Sequence, residues 1–403
     1  PAKGYKVLWF DHNEADPRQI DFKLDCDGGT FYIADENGNL VTLQSYPAAI
    51  SRTSYARTTD GANNWGLTAL PTPGKSNDGS VFATARLDAP IINKDSQLFT
   101  SSFIARVTIP DGATLKYTTD GTTPSATNGQ VSTTGRFTVN TTTTYRFRLF
   151  QDGMLPSEVI TRSYIYKDKE FKLPVISVVT DPVNLYDDSL GVYVKGVNGR
   201  PGNGQSTPCN WNMEWDRPVN FEYITPDGKM AFNQEVDFAM CGGWSRAWLP
   251  HSFKLKAAKV YEGRNSLNYQ FFAGKPYLKH KTLQIRNGGN DNNCRIQDAA
   301  LQTIISTSGI DIDGQSYLPT MHFINGEYKG VINMREPNNK HFAYANYGLD
   351  DEQLDQFEMS PDSGYCQKCG TDESFLRWYE LSKKASEVMA YEEICLLYTS
   401  DAA

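Results

Sequence analysis

The feature that most constrains this chain is a repeated unit of apolar–polar alternation, a Gly-containing turn pair, and renewed alternation. Successive strand side chains point to opposite faces of a sheet. Asn-Gly and Asp-Gly pairs accept the positive φ that a tight hairpin turn requires. The unit recurs at Asp35-Glu36-Asn37-Gly38-Asn39, at Asp111-Gly112 after the alternating run 103–109, and at Asp227-Gly228 between 218–223 and 231–240. It recurs again at Asn325-Gly326, between 321–324 and 328–334. Thr142 to Phe150 is a long strand rich in β-branched and aromatic residues. Helical signals come late. Ile296 to Ser308 reads as a helix closed by Gly309, and Thr371 or Asp372 is placed to cap a last helix with Phe375, Trp378, Leu381, Ala385 and Val388 on its apolar face.

Two breaks divide the 403 residues. Pro71-Thr72-Pro73-Gly74 is a linker signal and Lys167-Asp168-Lys169-Glu170 a charged junction. The expected domains are residues 1–80, 85–166 and 173–394, in line with the usual domain size. The net charge is −8 and no Lys/Arg-rich run interrupts it, which argues against a nucleic-acid partner. No apolar run reaches the roughly 20 residues a membrane helix needs. The seven cysteines are scattered; Cys366 and Cys369 form the one close pair, read as a loop disulfide or as free thiols. The chain opens on Pro1-Ala2 without a signal peptide, so its native N-terminus is expected upstream.

Several chemistries lack their motifs. The Gly-rich, Pro-containing stretch 196–204, read as a loop, holds no GxxxxGK[ST] phosphate cradle. HExxH, GxSxG and a Cys/His metal cluster are likewise absent. No carboxylate pair of the glycosidase kind stands out among 47 acidic residues.

The three parts each resemble a known family. "DGGTFYIADENGN", "SYARTTDG", Trp65 and "PTPGKSN" resemble the C-terminal part of a lamin-tail domain, an immunoglobulin-like sandwich with a role in adhesion or scaffolding. "YTTDGTTP" and "TTTYRFRLFQDGMLPSEV" resemble the chitobiase/hexosaminidase C-terminal sandwich module, a support rather than an active site; Asp120 reads as a turn residue there. "LPVISVVTD", "WDRPVNFEYITPDG", "CGGWSR", "HSFKLKA", "LQIRNGGND", "RIQDAALQ" and "FINGEYKGVINMREPNNK" resemble, in order, the kinase-like domain of the CotH (spore-coat protein H) family. The implied architecture is two all-β immunoglobulin-like sandwiches followed by an α+β atypical kinase-like domain. The implied activity is transfer of the ATP γ-phosphoryl group, with Mg2+ or Mn2+, to protein Ser or Thr in an extracellular or cell-surface setting. Surface glycans or proteins are the contacts implied for the β modules.

Phosphoryl transfer needs cations at the phosphates and carboxylates at the metal. Lys254 is the candidate phosphate lysine. It shares a strand face with Ser252 and Lys256, opposite Phe253 and Leu255, beside the Gly242-Gly243-Trp244-Ser245-Arg246 turn. The alternative is a solvent-facing strand lysine. Glu336 is the candidate partner for Lys254 or for a metal, against a surface carboxylate before Pro337. Arg246, Arg286 and Arg295 either neutralise phosphate or pin loops through carboxylates. Asn290 and Asp291 either orient a ligand or serve the Gly288-Gly289 turn. The family's Asp-containing metal phrase is not found up to Ala403, and Asp311-Ile312-Asp313-Gly314 lacks its context. The tail 395–403 is expected to be a non-native scar, and the chain as written is expected not to transfer phosphate. The competing expectation is a non-catalytic surface scaffold with a kinase-like fold.

Overall fold

A computed structural model describes residues 4–10, 19–20, 22–275, 277–291, 293–310, 312–360 and 364–383. Asp311, Ala385, Val388 and the 395–403 tail lie outside the described residues, as does the side chain of Trp378.

The described strands of the first unit form separate two-stranded sheets. Gly29–Ala34 pairs with Leu40–Tyr46 across the Asp35–Asn39 turn, and Ser54–Arg57 pairs with Trp65–Thr68. Asp35 Oδ1 accepts from the backbone N–H of Asn37 at 2.9 Å and of Asn39 at 2.8 Å, which fixes the first turn. A two-stranded sheet has too little partner surface to bury both faces, and Tyr32, Leu40 and Leu43 are exposed.

The second unit is a two-layer sandwich. Its main sheet has the order 130–132, 114–118, 143–150, 160–166 and 97–99, and the pair 103–106 with 136–139 lies against it. Tyr145, Phe147 and Leu149 point into the core with Leu115, Phe137 and Tyr164. At the Tyr117–Pro124 turn, Asp120 Oδ1 accepts from the Thr122 N–H at 3.0 Å and its hydroxyl at 2.6 Å.

The third unit is a closed barrel of seven strands: β1 (Val175–Val179), β2 (Arg217–Ile224), β3 (Met230–Met240), β4 (Phe253–Lys256), β5 (Thr282–Arg286), β6 (Tyr317–Ile324) and β7 (Glu327–Arg335). Neighbours run β1-β2-β3-β4-β5-β7-β6, and parallel pairing of β6 with β1 closes the ring. From Phe232 onward β3 alternates: Phe232, Val236, Phe238 and Met240 fill the barrel while Asn233, Glu235 and Asp237 face outward. Asn325 and Gly326 both take positive φ at the β6–β7 turn. Asn325 also holds the closing seam, since Oδ1 accepts from the Thr180 N–H and Nδ2 donates to the Thr180 carbonyl, each at 2.9 Å.

Among the described residues three helices of eight residues or more accompany the barrel, α1 (Gln297–Thr307), α2 (Lys340–Tyr347) and α3 (Glu373–Ser382), besides the short helices Pro182–Tyr186 and Lys259–Glu262. The described structure is mostly β, 37% strand against 13% helix. The stretch 196–204 is not simply a loop. Arg200–Gly202 and Gln205–Cys209 pair as a hairpin, because Asn203 and Gly204 both adopt positive φ at its turn. Cys366 and Cys369 are free thiols on the strand Gly364–Cys369.

The sandwich and the barrel share a core. Leu98 and Ile165 of the sandwich pack with Phe171, Val175, Ile224, Met321 and Phe323. Ser163 and Ser177 hydroxyls meet at 2.8 Å, and Ser96 Oγ donates to Glu222 Oε1 at 2.5 Å.

Candidate functional site

Strand parity sorts the candidate residues. Phe253, Leu255, Leu283, Ile285, Ile332 and Met334 belong to the barrel core. Lys254, Gln284, Arg286, Asn333 and Arg335 therefore lie on the outer face of β4, β5 and β7. Register places Lys254 opposite Gln284 and Gln284 opposite Arg335. Lys254 and Arg335 are thus two strand spacings apart, about 10 Å.

Among the three residues the sequence put on one face, Lys254 differs from its neighbours. Ser252 is buried and its Oγ accepts from the Asn287 N–H at 2.9 Å. Lys256 Nζ pairs with Asp216 at 2.5 Å. Lys254 is half-buried, and among the described residues no carboxylate lies within ion-pair distance of it. Its charge lies near the Cys241 thiol, whose pKa burial raises and the lysine partly offsets. Gln284 Nε2 also reaches Cys241 Sγ, at 3.7 Å.

The other candidates are committed to structure. Arg246 donates from Nε to the Gly242 carbonyl and from Nη1 to the Trp211 carbonyl at 3.1 Å, so it pins its own turn. His251 supports the same turn through its ring Nδ1, which meets the Arg246 carbonyl; its backbone N–H donates to the Tyr193 hydroxyl at 3.1 Å, and burial depresses its pKa. Asn287 ties this turn to the end of β5, donating to the carbonyls of Ser245 at 3.0 Å and Trp248 at 3.1 Å. Asp291 Oδ2 accepts from the Gln297 N–H at 2.6 Å, capping α1, and Oδ1 accepts from Cys294 Sγ. That cysteine contact is the leading cause of its lowered pKa. Arg295 takes positive φ and donates to the Val331 carbonyl at 3.1 Å. Asn290 differs from these: it sits in the single turn Gly289–Asp291 and is exposed.

Glu336 does not pair with Lys254. It is one residue beyond Arg335, so strand parity takes it off the outer face. It is buried, accepts from the Ser316 N–H at 3.0 Å and hydroxyl at 2.7 Å, and lies 3.6 Å from Lys275 Nζ. The surface-carboxylate alternative fails too, for the same burial.

Two contributors went unread in the sequence. Asp298 on α1 accepts from Arg335 Nη2 at 2.7 Å and Arg286 Nη1 at 3.4 Å, which fastens the helix to the outer face. Arg335 is 1% exposed, and its Nε and Nη1 have no hydrogen-bond partner among the described residues. The alternation Ile332-Asn333-Met334-Arg335 already put Arg335 on the face of Lys254. Its burial depends on α1, which no local pattern reveals.

These residues fit one half of an ATP–metal site. Lys254 offers a cation with no carboxylate partner among the described residues, and Arg286 a partly exposed one that Asp298 also reaches. Arg335 underlies the surface rather than lining it. The carboxylate half is not met, since Asp291, Asp298 and Glu336 are all engaged within the protein. Among the described residues, a grouping of three side chains able to hold a metal occurs at Asp25, Cys26 and Asp27 in the first unit, away from this face in the chain.

Residues 238–393 match the model of the CotH kinase proteins, and residues 96–161 match that of the chitobiase/beta-hexosaminidase C-terminal domain. The first match starts within β3 and includes every candidate residue from Arg246 to Glu336; β1 and β2, which close the barrel, lie before it. No curated protein matches the chain.

Proposed function

We propose that the third unit is an atypical kinase domain of the CotH type that binds ATP and transfers its γ-phosphoryl group to protein Ser or Thr, outside the cell or at its surface. The observation that carries this reading is Lys254, a half-buried lysine without a carboxylate partner among the described residues, on the outer barrel face and within a segment similar to the CotH kinase proteins. Lys254 holds a phosphate oxygen by charge and hydrogen bonding, and Arg286 adds a second cation. ATP with Mg2+ or Mn2+ supplies the transferable phosphoryl group. The metal ligands are placed by this reading outside the described residues.

The engagement of Asp291, Asp298 and Glu336 favours a second reading, in which the barrel binds without catalysing. Incubating the full-length gene product with labelled ATP and Mg2+ or Mn2+ separates the two. The kinase reading expects label on Ser or Thr and a loss of roughly a hundredfold on Lys254→Ala. Nucleotide binding without any label supports the second.

A further inference from the structure

A cavity of about 500 Å³ lies where the three units meet. Its origin is the pattern Tyr145-Arg146-Phe147-Arg148-Leu149. Because Tyr145, Phe147 and Leu149 fill the sandwich core, Arg146 and Arg148 emerge on the opposite face, toward the barrel. Arg86 and Glu158 of the sandwich, Arg52 of the first unit and Glu235 on the outer face of β3 complete the charged lining. Four guanidinium groups thus face two carboxylates.

Both carboxylates are already taken. Glu235 pairs with Arg52 at 2.7 Å and Glu158 with Arg86. Among the described residues, the hydrogen-bond partners of Arg146 and Arg148 are neutral. Arg146 Nη1 donates to the Gly121 carbonyl and the Thr123 hydroxyl, each at 2.9 Å, and its buried Nε has no partner. Arg148 Nε donates to the Ser157 carbonyl at 2.8 Å. Arg146 is 8% exposed. Burial lowers the pKa of both groups, and the smaller opposing effects of Glu235 on Arg146 and Glu158 on Arg148 do not offset it. A buried charge is costly unless it is paired, and a guanidinium fork matches an oxyanion. Thr180 and Asn184 add polar lining, and Tyr261 an aromatic wall over which Arg52 sits at 4.8 Å. The volume is that of a small-molecule site, larger than a bare oxyanion requires.

We propose that this cavity binds a small polar molecule through a phosphate or sulfate group held by Arg146 and Arg148. The test is calorimetric titration of the whole chain with inorganic phosphate, inorganic sulfate and glucose 6-phosphate, against chloride at matched ionic strength. Saturable binding of an oxyanion above the chloride control is expected. Tighter binding of the ester identifies an ester as the occupant, and equal binding identifies the free anion. Arg148→Gln is expected to weaken binding about tenfold or more, in keeping with a charge-assisted hydrogen bond. Glu158→Gln removes a competing carboxylate and is expected to strengthen binding, which keeps a readout if Arg148→Gln does not fold. Binding no better than chloride, an unchanged affinity in Arg148→Gln, or weaker binding in Glu158→Gln overturns the proposal.

Discussion

Lys254 and Glu222 show how one side chain's neighbours decide its chemistry. Lys254 and Lys256 share a face, yet Asp216 occupies only Lys256. Glu222 is a carboxylate with no solvent at all. It lies between sandwich and barrel, and burial there pushes its pKa up to about 7, against weaker opposing effects from Ser163 and Ser96. Its folded pKa is above the unfolded value, so its contribution to stability is present below about pH 4.5 and is lost as pH rises to about 7. Glu222→Gln, which stays neutral, is expected to gain thermal stability relative to the parent as pH is raised from 5 to 8. His280 and His322, held by burial at about 4 and about 3, oppose this trend, but equally in both proteins. Parallel Tm-against-pH curves would contradict the assignment.

At the level of elements, the turns were the most legible part of the sequence and also hid a second role. Asp227-Gly228 and Asn325-Gly326 make the hairpins their dipeptides predict. The Asn325 side chain also closes the barrel on Thr180, a contact 145 residues away along the chain that no local pattern carries. The Thr118–Pro124 turn is similar. Its Asp120 does what a turn aspartate does, while Gly121 abuts the barrel seam: a Cβ there would stand 2.4 Å from the Thr180 carbonyl oxygen and 2.5 Å from Asn325 Nδ2. Gly121 also has a φ of +86°. Gly121→Ala is therefore expected to separate sandwich from barrel, converting one cooperative melting transition of these two units into two. A single, unshifted transition would refute that docking role. The sequence placed Lys254 on its face through parity alone. It misplaced Glu336 because the partners of that residue, Ser316 and Lys275, come from segments whose approach depends on barrel closure.

On the scale of the molecule, the chain is a row of β units in which the second and third share a hydrophobic core and the cations collect at two places. One is the outer face of β4, β5 and β7, and the other is the cavity between units. Only the first lies in the segment similar to the CotH kinase proteins. The outer-face assignment meets its most direct test in nucleotide binding by this chain, followed with a fluorescent ATP analogue in the parent, Lys254→Ala and Lys256→Ala. The account predicts that Lys254→Ala weakens binding about tenfold, the loss of one charge-assisted contact, while Lys256→Ala, whose charge Asp216 already holds, changes it by less than about twofold. Equal losses in the two variants, or no binding by the parent, would contradict it.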